Sequence, residues 1–252
     1  MRVVIIGAGN VATVLGKLMA KANHEILQVL SRNIGHAQSL ATELGCAATD
    51  DPQTINTTAD VYVVAVSDTA LKSLYEAYFL GDKLVVHTAG AVPGDVLKVV
   101  SANYGVMYPL QSLRKENREV PVDIPLLVDG NSEQVISSIR HFASSLSSRV
   151  ARADDEQRLK LHIAAVIVSN FTNHLYALAA DYCEKEGLDF SMLQPLIEET
   201  ALRLRTHRPG QMQTGPAIRK DTATLDEHLR VLSAHPSLQN LYRRMTESIM
   251  DE

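Results

Sequence analysis

The chain has 252 residues, 46% of them hydrophobic, so it can bury one large core or two modest ones and is not globally disordered. Its 24 basic and 29 acidic residues leave a net charge of −5 with mixed signs throughout, which excludes the basic stripe of a general nucleic-acid binder. Cys46 and Cys183 are far apart and lack CxxC spacing, so they read as reduced thiols, with neither a disulfide nor a metal site.

Residues 3–6 read as a buried strand, and Gly7 and Gly9 interrupt the apolar run at once. That run is too short for a signal peptide, and no later one reaches membrane-spanning length, so a soluble cytoplasmic protein is expected. Residues 11–21 form a helix with Val11, Leu15, Leu18 and Met19 on one side. Residues 26–30 are a second strand, 37–44 a short helix capped by Gly45, and 46–48 a short third strand. Residues 61–66 and 84–87 are the fourth and fifth strands, with 70–79 the clearest helix between them. Strands at 106–108 and 126–128 and a helix at 132–146 follow. The alternation predicts an α/β fold: a doubly wound, mostly parallel Rossmann sheet with right-handed crossovers. From about Asp154 the strand signal stops. Helical patterns at 156–185, 191–206, 221–234 and 237–250 predict an all-α domain, interrupted by Pro209-Gly210 and Thr214-Gly215-Pro216. The boundary falls near 151–155, giving domains 1–152 and 153–252.

The first strand leads directly into Gly7-Ala8-Gly9-Asn10-Val11-Ala12, a G-x-G-x-x-A dinucleotide fingerprint. Gly7 permits the tight turn, Gly9 lets backbone approach a pyrophosphate, and Ala12 lets the helix sit close to the sheet. The first backbone N–H groups, from Asn10 and Val11, then face the anion with the helix dipole behind them. NAD binders usually carry a carboxylate after the second strand to hold the ribose 2′-OH. Here that strand is followed by Ser31-Arg32-Asn33. A guanidinium can hold a 2′-phosphate bidentately, so NADP is the expected cofactor, although Arg32 also fits a plain solvated turn.

Ligands in open α/β sheets lie at the carboxyl ends of the strands. The fourth strand ends in Val66-Ser67-Asp68 and the fifth in His87-Thr88-Ala89-Gly90. Val66, Ser67, Thr88 and Ala89 are therefore candidates to border the nicotinamide, while Ser67 and Asp68 also suit a helix cap. Tyr108 and Gln111 sit where a later strand end can reach the same cleft.

The long helix of the second domain is apolar almost all round, which predicts burial. His162, Ser169, Asn170 and Asn173 recur at offsets of seven, eight and eleven, near one helical face. Buried polar groups need partners. Either the stripe faces substrate, with His162 as a proton donor, or it makes structural hydrogen bonds between helices or across a dimer interface. Arg219 and Asp221 form a second polar cluster. They are suited to a substrate carboxylate or, more simply, to a charged turn with a helix cap.

On these residues the chain resembles Rossmann-like proteins with a DUF2520 C-terminal domain. These are relatives of pyrroline-5-carboxylate reductase, ketopantoate reductase and the NADP-dependent coenzyme F420 oxidoreductases. The resemblance rests on the 7–12 loop, His87 to Gly90, Tyr108-Pro109-Leu110-Gln111, His162 to Phe171 and Thr214 to Asp221. It implies an NADP oxidoreductase acting on a small molecule, and a homodimer formed through the helical domain. The hydroxyacid dehydrogenases of the superfamily use a Lys-x-x-x-Asn pair on this helix. With Asn170 as that asparagine, Val166 occupies the lysine position, and Lys160 lies ten residues back. The departure disfavours ordinary 2-keto acid reduction and leaves His162 and Asn170 as the chemistry candidates, suited to hydride transfer to or from a carbonyl or imine. The competing reading is a non-catalytic module that senses NADP(H) and signals through its dimer interface.

Overall fold

A computed structural model describes residues 1–73, 79–117 and 123–251. Among them are eight strands: β1 (Arg2–Ile6), β2 (Glu25–Leu30), β3 (Ala47–Thr49), β4 (Val61–Val64), β5 (Leu84–His87), β6 (Asn103–Pro109), β7 (Leu126–Gly130) and β8 (Val150–Arg152). They form one sheet in the order β3-β2-β1-β4-β5-β6-β7-β8. β1 to β6 run parallel, β7 is antiparallel to β6, and β8 is parallel to β7. This is the doubly wound, mostly parallel Rossmann sheet that the alternating pattern predicts.

Side chains alternate across a strand, so a strand covered on both faces must be apolar at every position. In β1, Val3 and Ile5 enter one hydrophobic core while Val4 and Ile6 enter another. The first core is closed by α1 (Asn10–Lys21), α2 (Ile34–Leu44) and α4 (Glu133–Ser144) through Leu15, Met19, Leu40, Ile139 and Phe142. The second is closed by α3 (Asp68–Lys72) and the 3-10 turn Gly94–Leu97 through Leu71 and Leu97. α2 starts three residues before its expected start because the Asn33 side chain caps it, accepting the His36 N–H at 3.1 Å. Of the helix expected at 70–79, residues 74–78 lie outside the described residues.

The remaining helices are α5 (Asp155–Ala165), α6 (Thr172–Lys185), α7 (Gln194–Arg203), α8 (Thr222–Val231) and α9 (Pro236–Met250). α5 opens with a reciprocal capping box between Asp154 and Gln157. Between α5 and α6 the chain is π-helical over Val166–Phe171. The last strand ends at Arg152, and the chain divides into two compact units, Met1–Ser169 and Asn170–Glu252.

Two expectations about the long helix need correction. It was expected to be buried, yet Ile163 is 53% exposed and Val168 71% exposed within this single chain. Apolar composition predicts that a surface will be covered, but not by what. It was also expected that no segment reaches membrane-spanning length. Asp155–Lys185 is 31 residues and apolar enough to cross a membrane by length and composition alone. Scattered His, Ser and Asn residues break the apolar run, but the segment stays apolar on average.

Phe142 is fully buried between α4 and the sheet, edge-on to His24 with ring centroids 5.0 Å apart. Replacing it with alanine should destabilise the protein by about 3–5 kcal/mol. In urea unfolding followed by circular dichroism, a lower midpoint at constant slope is the expected result.

Candidate functional site

The turn from β1 into α1 is shaped by two different uses of glycine. Gly7 has φ of +119° and donates its N–H to Leu30 O at 2.7 Å. A Cβ on Gly7 would stand 2.2 Å from the Ala65 carbonyl oxygen, so no side chain fits between β1 and the end of β4. A Cβ on Gly9 would meet nothing within 4 Å among the described residues. Gly9 is the N-cap of α1, and no side chain caps that helix. Its first N–H groups are therefore left without a side-chain cap, as an anion-binding helix start requires. Asn10 accepts the Lys115 N–H at 3.3 Å through Oδ1, and Val11 packs against the first core.

A cavity of about 440 Å³ opens over this turn, at the carboxyl ends of β1, β2 and β4. It is lined by Gly7 and Gly9, by Ser31 and Arg32 after β2, and by Val66 and Ser67 after β4. Among its described lining residues Arg32 is the only charged one, and no carboxylate is present. That donor set fits a dinucleotide bearing a phosphate where NAD has a hydroxyl. Ser67 also caps α3, accepting the Ala70 N–H at 3.4 Å. Asn10, Val11, Thr88 and Ala89 do not line this cavity. The Thr88 hydroxyl instead donates to Val64 O at 3.4 Å, tying the end of β5 to β4.

A second polar cluster stands at the ends of β5 and β6. His87 is fully buried, its Nδ1 accepting the Ala89 N–H at 3.1 Å. That leaves the ring proton on Nε2, which donates to Pro93 O at 3.3 Å. Burial, and secondly the Arg158 cation, push its pKa down to about 4, so the ring is neutral at pH 7. Arg158 is 1% exposed and donates through Nη2 to Val92 O and to Asp155 Oδ1, the latter at 2.7 Å. Its Nε and Nη1 are buried without a partner among the described residues. Asp155 also accepts the Gly94 N–H, at 3.1 Å, so the loop after β5 is clamped to the first turn of α5. Beside this clamp, the Tyr108 hydroxyl lies 2.9 Å from His162 Nδ1.

Sequence reasoning selected His162 and mentioned Tyr108 and His87, but it passed over Arg158. The available signal was its spacing: Arg158 is one helical turn before His162, on the same face. In the second unit, Asn170 is exposed within the π-helical stretch. Asp221 caps α8, accepting the Thr224 N–H at 3.2 Å, and His228 Nδ1 lies 2.7 Å from the Tyr242 hydroxyl. No group of metal ligands occurs among the described residues.

Comparison with known proteins bears on both halves of the chain. A domain of unknown function, DUF2520, matches residues 124–249, and the family described as "NADP oxidoreductase coenzyme F420-dependent" matches residues 2–90. The chain is similar to a crystal structure of a "putative NADP oxidoreductase" from Bacteroides fragilis, at 39% identity and a TM-score of 0.90, covering 100% of this chain and 98% of that one. At 13% identity it shares its fold with a 1-pyrroline-5-carboxylate reductase from Streptococcus pyogenes, with a TM-score of 0.65 and coverage of 100% and 99%. At the same identity it shares its fold with a reductive aminase from Aspergillus terreus in complex with NADPH and ethyl-5-oxohexanoate, with a TM-score of 0.72 and coverage of 98% and 94%. No curated protein matches the sequence.

The neutral, buried His87 makes stability depend on pH. Its folded pKa lies below its unfolded value, so the unfolded chain binds more protons between the two and folding loses stability as pH falls through that window. From about pH 6.5 down to about 4 the loss from this ring should reach roughly 3 kcal/mol. His87→Asn keeps an acceptor for the Ala89 N–H and removes the titration. Unfolding free energies measured at pH 7 and pH 4 should therefore fall further for the native chain than for the variant, by that amount.

Proposed function

The chain belongs to the DUF2520 family, and on that premise we propose that it is an NADP-dependent oxidoreductase moving a hydride to or from a small carbonyl or imine. The single observation that carries this reading is the cavity over the β1–α1 turn. It combines an uncapped helix start, a Cβ-sized void at Gly9 and one guanidinium, Arg32, with no carboxylate among the described lining residues. The NADP oxidoreductase description matched by residues 2–90, and that of the Bacteroides fragilis relative, support the choice of cofactor.

Gly7 and Gly9 shape the backbone, and the N–H groups of Asn10 and Val11 hold the pyrophosphate. Ser31 and Arg32 hold the 2′-phosphate. Val66 and Ser67, with Thr88 and Ala89 at the next strand end, border the nicotinamide half. When bound, NADPH supplies the hydride. The protein manages one proton, through His162 and the hydroxyl it contacts, and Asn170 in the second unit is the other candidate for the chemistry. The reductive aminase and the pyrroline-5-carboxylate reductase share only the fold, and they support carbonyl and imine compounds as the first substrates to try.

The partner in this reading is a second copy of the chain, and the setting is the cytoplasm. In the first unit Ile163 and Val168 are exposed apolar side chains. In the second, an almost wholly apolar groove of about 330 Å³ lies among Leu175, Leu178, Tyr182, Val231 and Tyr242. Apolar surface of this extent favours association. Sedimentation velocity should give twice the 27.6 kDa chain mass, and Val168→Glu should shift the protein toward monomer.

The cofactor assignment is tested by fluorescence titration with NADPH and NADH. Arg32→Ala should weaken NADPH about tenfold or more while leaving NADH affinity unchanged. Equal affinity of the native chain for the two nucleotides would remove the 2′-phosphate site. NADPH oxidation with 1-pyrroline and with ethyl 5-oxohexanoate tests the reaction. Binding without turnover of any carbonyl or imine would favour the non-catalytic sensor.

A further inference from the structure

The contact between Tyr108 and His162 is a built feature of the fold. Tyr108 is the penultimate residue of β6, on the same sheet edge as the cofactor cavity. Its hydroxyl lies 2.9 Å from His162 Nδ1, and the two rings meet edge-on at 74°. Both pack directly on the backbone of the loop after β5. A Cβ on Gly90 would stand 2.6 Å from His162 Nδ1 and 2.9 Å from Tyr108 Cζ. The glycine that closes the His87-Thr88-Ala89-Gly90 motif is therefore what lets the pair close. One turn earlier on α5, Arg158 places a buried cation with two N–H-bearing nitrogens that have no partner among the described residues.

We propose that Tyr108 is the proton donor of the reaction, that His162 replenishes it, and that Arg158 is a positioning residue whose buried charge stabilises the phenolate left behind. This deepens the reductase reading and rests on it. As hydride from the reduced nicotinamide dinucleotide adds to the carbon of a carbonyl or neutral imine, the C=O or C=N π bond breaks. Its electron pair takes the proton from Tyr108 Oη. The phenolate then takes the proton that His162 carries on Nδ1, and His162 takes one from solvent on Nε2. His162 is half-buried, which leaves that exchange open.

The electrostatics agree with this assignment. Burial pushes the Tyr108 phenol above its ordinary range and so keeps it protonated at neutral pH. Arg158 opposes that shift, and Asp68 on α3 adds to it. A donor needs both properties: a proton held in the resting state and an opposite charge ready for the anion.

Two measurements test the proposal. The first is a pH titration of the tyrosine Cζ resonances in 13C-tyrosine-labelled full-length protein without cofactor, with Tyr108 identified by its loss in Tyr108→Phe. Arg158→Gln should raise the Tyr108 midpoint by about one pH unit or more, and Arg158→Lys should restore most of it. An unchanged midpoint in folded Arg158→Gln overturns the role of Arg158. The second is turnover of 1-pyrroline or ethyl 5-oxohexanoate with NADPH. Tyr108→Phe should lower kcat about a hundredfold or more while KM and NADPH affinity stay within about threefold. Unchanged kcat overturns the donor assignment and leaves the reductase reading standing. A native chain that binds NADPH and reduces neither probe counts against the reductase reading, and the resonance titration still decides the Tyr108–Arg158 pair. Should Arg158→Gln fail to fold, the Tyr108→Phe kinetics still decide whether Tyr108 is the donor.

Discussion

The site depends on the bare Cα of Gly7 lying against the carbonyl oxygen of Ala65. β1 is flanked by β2 on one side and β4 on the other, so the chain leaves it in opposite directions to build the two halves of the sheet. A crevice opens at the carboxyl ends of strands where the order reverses in this way. Its floor is the turn after β1, held by the Gly7 N–H on Leu30 O and by the 2.2 Å that a Cβ would leave to Ala65 O. A side chain there would push β1 away from β4 and separate Ser31 and Arg32 on one wall from Val66 and Ser67 on the other. Gly9, two residues on, is free of such contact. One glycine serves the protein's own packing and the other leaves room for a ligand, the division of labour that the motif predicts.

The clamp at the end of β5 obeys a second constraint. Burying a guanidinium is costly unless its hydrogens are used and an opposite charge is near. Asp155 supplies the charge from a half-exposed position, where its carboxylate keeps contact with water while holding both Arg158 and the Gly94 N–H. A second buried cation beside Arg158 would add repulsion to desolvation. His87 avoids this by staying neutral, with both ring nitrogens engaged by the backbone of its own loop. The loop's shape, the neutral histidine and the buried Arg158 cation form one arrangement, so a change in any of them reaches the other two.

Much of this fold was legible in the sequence because its signals are local. The Val/Ile runs of β1, β4 and β5, the Gly45 cap and the G-x-G-x-x-A turn each state their geometry within a few residues. β8 was missed because Val150-Ala151-Arg152 is too short to show alternation and becomes a strand only by pairing with β7. Of the residues that line the cavity, Ser31, Arg32, Val66 and Ser67 were legible from strand ends alone. Thr88 is a candidate to border the nicotinamide, and its hydroxyl also donates to Val64 O, a partner 24 positions away that no local signal marks. Arg158 shows only its one-turn spacing from His162, and its burial is not local. On a helix that begins Asp-Glu-Gln-Arg-Leu-Lys it looks like one more solvated charge, and only the loop after β5, folding over it, makes it buried.

The long helix shows where periodicity arguments end. Offsets of seven, eight and eleven mark one face only while each turn holds 3.6 residues. Through Val166–Phe171 the bonding is π-helical, with i→i+5 pairs, so residues beyond that stretch are rotated away from the face that a regular helix would give them. His162 lies before the stretch, Ser169 and Asn170 lie within it and Asn173 after it, so the 3.6-residue spacing does not hold throughout the four. Such interruptions persist where something other than helix stability selects them, and here the stretch coincides with the division between the two compact units. The same segment leaves Ile163 and Val168 in solvent, at a cost of about 25 cal/mol for each Å² of apolar surface left uncovered. A segment that breaks helical phase and exposes apolar side chains satisfies neither the local nor the hydrophobic preference within one chain. A second copy covering that surface would relieve the hydrophobic part of this conflict, which is why the proposed dimer and the proposed chemistry meet on the same helix.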